Sequence, residues 1–223
     1  GSADVLMALG VNVRLTPDEA RRLLDRVGIT FLFAPYYHPI LKEVAGLRRE
    51  IGAATIFNLL GPLLNPFPLT YQVVGIADPI MQEVVGKVIL QQGHRKAMII
   101  NAENGMDEIS PNCKTRVYFI ESGITGYCVI DPQELGIEAF PLEQVKGGDE
   151  KENARLIIDV LKGKPGPCRD TGILNAAAAI FTAGKALDLE EGMLIASEAI
   201  DSGRTKKTLE QMISYSQDGV IPC

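Results

Sequence analysis

The stretch KAMIINAENGMDEISP (96–111) runs from an apolar segment into a loop that carries two adjacent acids, Asp107 and Glu108. KAMIINA, an apolar run, reads as a buried strand. The Asn104-Gly105 pair after it is a turn signal. Adjacent residues on a strand point apart, but in a loop two neighbouring carboxylates can turn toward one ligand. What the pair does therefore depends on which fold surrounds it.

Outward from this stretch, strands and helices alternate. LTPDEARRLLDRVG (15–28) carries helix start and stop signals: Thr16 as N-cap, Pro17 at the first position, Glu19 completing a capping box and Gly28 at the end. ITFLFAP (29–35) reads as a buried strand, short and apolar on both faces, and HPILKEVAGLRREIG (38–52) as a helix. TYQVVGIA (70–77) is the next strand, followed by a helix that Asp78-Pro79 caps and Gly93 stops, which makes KAMIINA the third strand. TRVYFIESG (115–123) and ITGYCVID (124–131) form a hairpin turning at Gly123. Helices follow in ENARLIIDVLKG, TGILNAAAAIFTAG, EEGMLIASEAIDSG and KTLEQMISYS. The pattern predicts an α/β fold: a mostly parallel central sheet with helices on both faces, plus a hairpin. Ligands of such sheets sit outside the carboxyl ends of the strands, where the acidic loop lies.

Composition narrows the function. A net charge of −6 over 223 residues gives no electrostatic reason for a nucleic-acid or acidic-membrane partner. No run approaches the roughly 20 apolar residues of a membrane span. Cys113, Cys128, Cys168 and Cys223 form no C-x-x-C pair, so neither a zinc site nor a disulfide framework is signalled. Free thiols fit a reducing cytoplasm. The start, GSADVLMALG, has no signal-peptide pattern and reads like a chain cut in mid-domain.

Hard oxygen donors without nearby His or Cys suit Mg²⁺, which takes one or two carboxylates, waters and substrate phosphates. A solvated surface loop is the alternative for Asp107-Glu108. Arg48 and Arg49, near a helix end, either fork onto a carboxylate or phosphate or complement the helix dipole. His38 follows a predicted strand end, where a substrate contact is possible. His94, in a helix-to-strand turn, is expected at the surface. Gly147-Gly148-Asp149 could cradle phosphate, but Asp149 is better read as an N-cap for the helix through Leu161. NAAAAI (175–180) is read as close core packing. No G-x-G-x-x-G, P-loop or H-E-x-x-H motif occurs.

Five blocks in order, GSADVL, FLFAPYYHP, RREIG, FNLLGPLLNP and MDEIS, closely resemble the anthranilate phosphoribosyltransferase family of tryptophan biosynthesis. The similarity extends through LNAAAAI and covers nearly the whole chain. It implies a nucleoside phosphorylase/phosphoribosyltransferase-like catalytic domain over 1–223, of glycosyl transferase family 3 type, truncated at its N-terminus and keeping a remnant of a small helical lobe. The implied reaction joins anthranilate to C1 of 5-phosphoribosyl diphosphate with loss of diphosphate. By the same resemblance Asp107 and Glu108 hold Mg²⁺, Ser2 contacts the phosphoribosyl donor, and Arg48 engages anthranilate. His38, Gly61 and Pro62 line the entry of the aromatic substrate, and Arg49 is a structural partner. Full-length members are expected to be cytoplasmic homodimers. The family's GTGGD loop and KHGNR segment have no match here, so the chain alone is expected to be inactive. A pyrimidine nucleoside phosphorylase, which FNLLGPLLNP disfavours, and a non-catalytic nucleic-acid-binding homologue, which the acidic charge disfavours, are the alternatives.

Overall fold

The computed structural model describes residues 1–38 and 56–217. Helices run over Ser2–Ala8 (α1), Pro17–Val27 (α2), Ala34–Tyr37 (α3), Ile56–Leu63 (α4), Met81–Gln91 (α5), Glu150–Leu161 (α6), Pro167–Thr182 (α7), Leu189–Asp201 (α8) and Arg204–Gln217 (α9). Strands run over Tyr71–Gly75 (β1), Lys96–Ala102 (β2), Thr115–Glu121 (β3) and Ile124–Ile130 (β4). The described residues divide into two compact units. One comprises 1–38, 56–58, 147–163 and 200–217; the other comprises 59–146 and 164–199. The expected helix over 38–52 lies outside the described residues. Among those described, no helix is long and apolar enough to cross a membrane.

The first unit is helical. Its core gathers Val11, Val13 and Leu15 with Ala20 and Leu23 of α2 and Met212 of α9. α2 starts as its sequence dictates. Thr16 accepts from the Glu19 amide, and the Glu19 carboxylate accepts from the Thr16 amide at 2.8 Å. Gly28 closes it at a φ of +83°, a conformation that favours glycine. The predicted strand over 29–35 is not there. Residues 29–33 join no sheet, and Pro35 sits in the first turn of α3. Phe31 and Leu32 pack on the helical core while Ile29 is 46% exposed, so this apolar run covers helices on one side only.

The second unit holds a four-stranded sheet in the order β1-β2-β3-β4. The α/β class stands, but the sheet is mixed rather than mostly parallel. β1 pairs with β2 in parallel, whereas β2–β3 and β3–β4 are antiparallel. Parallel pairing needs a long crossover, and α5 supplies one between β1 and β2. The hairpin instead extends the same sheet, so KAMIINA is the second strand of it and not a third. Ser122 and Gly123, with φ of 51° and 86°, make the tight turn.

Side chains of β2 alternate between two cores. Ala97 and Ile99 face α5, packing with Val74, Val85, Ile89, Tyr118 and Ile120. Met98 and Ile100 face α7, packing with Val117, Ile130, Leu174 and Ala178. Helices therefore cover both faces, as the strand–helix alternation predicts. Gln82, fully buried on α5, pins the helix by donating to the carbonyls of Ile99 at 2.6 Å and Arg116 at 2.8 Å. α5 begins at Met81, later than the Asp78-Pro79 signal. Asp78 makes the preceding turn, its carboxylate accepting from the Ile80 amide at 3.0 Å. His94, expected at the surface, is 7% exposed, with Nδ1 3.0 Å from the Ile89 carbonyl. The turn folds back on α5, and the imidazole satisfies a carbonyl of its last helical turn.

Candidate metal-binding loop

The loop 103–114 leaves the carboxyl end of β2, and its backbone is tied at several points on the way to the acids. Gly105 donates to the Ala102 carbonyl at 2.9 Å in a turn that puts Gly105 at a φ of +84°. The Ala102 amide in turn donates to the Met106 carbonyl at 3.1 Å. The Asp107 carbonyl lies against Gly75, the last residue of β1, so closely that a Cβ there would overlap it. Asn101 donates to the carbonyls of Ile76 at 2.7 Å and Ala77 at 3.1 Å, fixing the chain where it leaves β1.

Beyond the acids, Ile109 is fully buried in the core beneath α7. Burying such a side chain contributes roughly 2 kcal/mol. Asn175 of α7 accepts from the Ile109 amide at 2.9 Å and donates to the Ile109 carbonyl at 3.0 Å. Ser110, also fully buried, donates its amide to the Thr115 hydroxyl oxygen at 3.2 Å.

Between these fixed points the Asp107 and Glu108 side chains are exposed. Hydration lost to neighbouring atoms despite this exposure, and then the charge of Asp107, push the Glu108 carboxyl above its ordinary range. A cation between the two oxygens would relieve that repulsion. Among the described residues no group of three or more His, Cys, Asp and Glu side chains gathers in one place. A two-carboxylate donor set does not fit a protein-only zinc or calcium cage. It fits Mg²⁺ that keeps waters and takes phosphate oxygens.

The other residues singled out from sequence are spread over both units. Gly61 and Pro62 lie in α4, Gly61 exposed and Pro62 half-buried. The Pro62 carbonyl accepts from Gln72 at 2.7 Å, near the start of β1. Gln72 and Gly75 are three residues apart, on the order of 10 Å along the strand. Pro62 and the carboxylate pair are thus anchored toward opposite ends of β1. Ser2 opens α1, exposed, and His38 is the C-cap of α3, half-buried; both belong to the first unit. His38 follows a helix rather than the predicted strand. Arg48 and Arg49 lie outside the described residues.

Asp149 caps α6 as read from sequence, accepting from the amides of Lys151 at 2.9 Å and Glu152 at 2.8 Å. A cavity of about 940 Å³ between α1 and α6 is lined by none of the sequence-predicted site residues. Gly75 and Asn175 are the site residues that sequence reasoning missed. The signals for them are a glycine interrupting an apolar strand and an asparagine heading a run of alanines.

Residues 1–206 match the model of a family described as glycosyl transferase family, a/b domain. An anthranilate phosphoribosyltransferase of Syntrophomonas wolfei is 58% identical, covering 100% of this chain and 66% of that protein. One from Petrotoga mobilis is 41% identical over 97% of this chain and 63% of that protein. Among solved structures, the anthranilate phosphoribosyltransferase of Thermus thermophilus superposes with a TM-score of 0.90 at 35% identity, covering 97% of this chain and 64% of that one. The Saccharomyces cerevisiae enzyme in complex with PRPP and Mg gives a TM-score of 0.90 at 27% identity, with 97% and 63% covered. The chain spans just under two thirds of the length of these relatives.

Proposed function

We propose that this chain, which belongs to the glycosyl transferase family, a/b domain, forms the larger part of an enzyme that transfers the phosphoribosyl group of 5-phosphoribosyl diphosphate to anthranilate. The products would be N-(5-phosphoribosyl)anthranilate and diphosphate, in tryptophan biosynthesis. One observation carries the proposal: Asp107 and Glu108 stand side by side on a backbone held from both sides, at the carboxyl end of the parallel strand pair. The relatives named above, one of them solved with PRPP and Mg, support it.

In this reading Asp107 and Glu108 hold Mg²⁺ against the diphosphate of the donor. The ion, when bound, neutralises charge on the leaving diphosphate. Ser2 contacts the donor. The Arg48 guanidinium forks onto the anthranilate carboxylate and aims the amine at C1, a contribution of position rather than of proton transfer. His38, Gly61 and Pro62 line the approach of the aromatic ring, and Arg49 is a structural partner. An aromatic amine is neutral near pH 7, so no residue is assigned as general base. The rest of the donor site comes from the portion of the relatives that this chain does not span, and the assembled enzyme is a cytoplasmic homodimer.

The test is transfer from 5-phosphoribosyl diphosphate to anthranilate by the chain, alone and supplemented with the portion of the Syntrophomonas relative that it does not span. Product is expected only in the supplemented sample with Mg²⁺, and Asp107→Asn should remove most of the rate together with its response to Mg²⁺. Full activity of an Asp107→Asn sample with an unchanged Mg²⁺ dependence would overturn the assignment.

A further inference from the structure

We infer that Asn175 is a positioning residue for the carboxylate pair, acting through the Ile109 backbone to aim Asp107 and Glu108 at one divalent cation. This rests on the proposal that the pair holds such a cation. The amide of Asn175 is fully committed. Its Oδ1 accepts from the Ile109 amide at 2.9 Å, and its Nδ2 donates to the Ile109 and Thr171 carbonyls at 3.0 Å each. An amide hydrogen cannot accept and carbonyls cannot donate, so neither the orientation nor the residue type is free. A carboxylate in its place would set an anionic oxygen against two carbonyl oxygens. Glutamine would carry the fork one methylene too far.

Burial of Ile109 already keeps the loop on the core, so the clamp adds something other than attachment. Holding both the amide and the carbonyl of one residue fixes the peptide planes on either side of it. The plane between Glu108 and Ile109 sets the rotation of the Glu108 Cα–Cβ bond about the chain. On the other side, the contact of the Asp107 carbonyl with Gly75 fixes the preceding plane. The two acids therefore project from a backbone with both ends set, and the partner of one end is 66 residues away in sequence.

Partners that orient metal ligands cost about 10–100-fold in metal affinity when removed. The experiment is Mn²⁺ titration of the chain, followed by loss of the free-ion electron paramagnetic resonance signal. The samples are the parent, Asp107→Asn, Asn175→Asp, Asn175→Ala and, as a matched change on the same helix, Thr171→Ala. Thr171→Ala removes only a bond from the hydroxyl to the Pro167 carbonyl. Circular dichroism selects the samples that are folded, and Asn175→Ala decides if Asn175→Asp is not.

Mn²⁺ binding is expected to weaken at least about tenfold in both Asn175 variants and to stay at parent strength in Thr171→Ala. Asn175→Asp is the sharper arm, because an added negative charge acting only through space would tighten cation binding. A folded Asn175 variant that binds Mn²⁺ like the parent or tighter, while Asp107→Asn binds none, overturns the positioning role and leaves the cation site standing. Parent and Asp107→Asn binding alike overturns the site and the inference with it.

Discussion

Two nearly identical tetrapeptides, Gly105-Met106-Asp107-Glu108 and Gly147-Gly148-Asp149-Glu150, end in opposite electrostatic states. Both are pinned in the same manner. Asn153 exchanges two hydrogen bonds with the Gly148 backbone at 3.0 and 3.1 Å, as Asn175 does with Ile109. The chain beyond the acids differs. Asp149 is succeeded by the first turn of α6, whose free amides it accepts. The bond from Glu152 above all holds its carboxyl below the usual carboxylate range. Glu108 is succeeded by Ile-Ser-Pro, whose chain goes into the core. It meets no helix terminus; lost hydration and the neighbouring Asp107 outweigh the pull of its own amide and raise its carboxyl. The acid at a helix start is held by backbone amides, whereas the paired acids of the first loop repel each other, which a cation, as proposed above, would relieve.

Removing the space for the acidic loop should break the comparison most severely. Gly75→Ala places a Cβ where the Asp107 carbonyl now sits, so the loop or the last residue of β1 must shift. Overpacking of this kind costs about 3 kcal/mol, to be read as a lowered urea midpoint. Mn²⁺ binding should be lost as well, while the Asp149 loop stays intact. A Gly75→Ala chain with parent stability and parent Mn²⁺ affinity would show that the close approach does not hold the acids. Next in size, Asp149→Ala removes the acceptor at the start of α6 and should lower the thermal midpoint by a few degrees. Its Mn²⁺ titration should match the parent. A changed titration would mean that the second tetrapeptide is not merely a cap.

These two loops also show what a linear reading can reach. The Asp149 cap, the Thr16–Glu19 capping box and the β3–β4 hairpin rest on partners near in sequence, and each stands where its local pattern puts it, as do the bounds of β2, set by its own apolar run. Residues 29–35 mislead because a short apolar run fits a strand or a cover for helices equally, and only the helical core beneath Phe31 and Leu32 decides between them. The direction of β3 against β2 depends on how the loop 103–114 returns, which no local pattern encodes. His94 is buried because α5 lies under its turn. In the site, the carboxylate pair is visible in the sequence, but its two supports are not. Gly75 matters through a carbonyl 32 positions on, and Asn175 through an amide still further away, so each is legible only as an oddity in its own element.

The smallest effect separates the loops most cleanly, because it has opposite sign in each. A carboxyl raised in the folded state binds its proton more tightly there than in the unfolded chain. Stability then falls as pH rises from the ordinary glutamate value through the higher folded one, and the penalty stays above that window. Glu108→Gln removes the penalty, so without divalent cations its midpoint should exceed the parent's slightly at pH 7 and meet it near pH 3, below both values. Mn²⁺ should raise the parent's midpoint at pH 7 and leave that of Glu108→Gln almost unmoved. For Asp149, lowered in the folded state, the contribution is present above the unfolded value and disappears as pH falls through the folded one. Asp149→Asn should therefore trail the parent at pH 7 and converge with it in acid, with no response to Mn²⁺ beyond the parent's. Should Glu108→Gln trail the parent at pH 7 as Asp149→Asn does, Glu108 has a structural donor of its own. The contrast between a capped acid and a cation-seeking pair would then be lost.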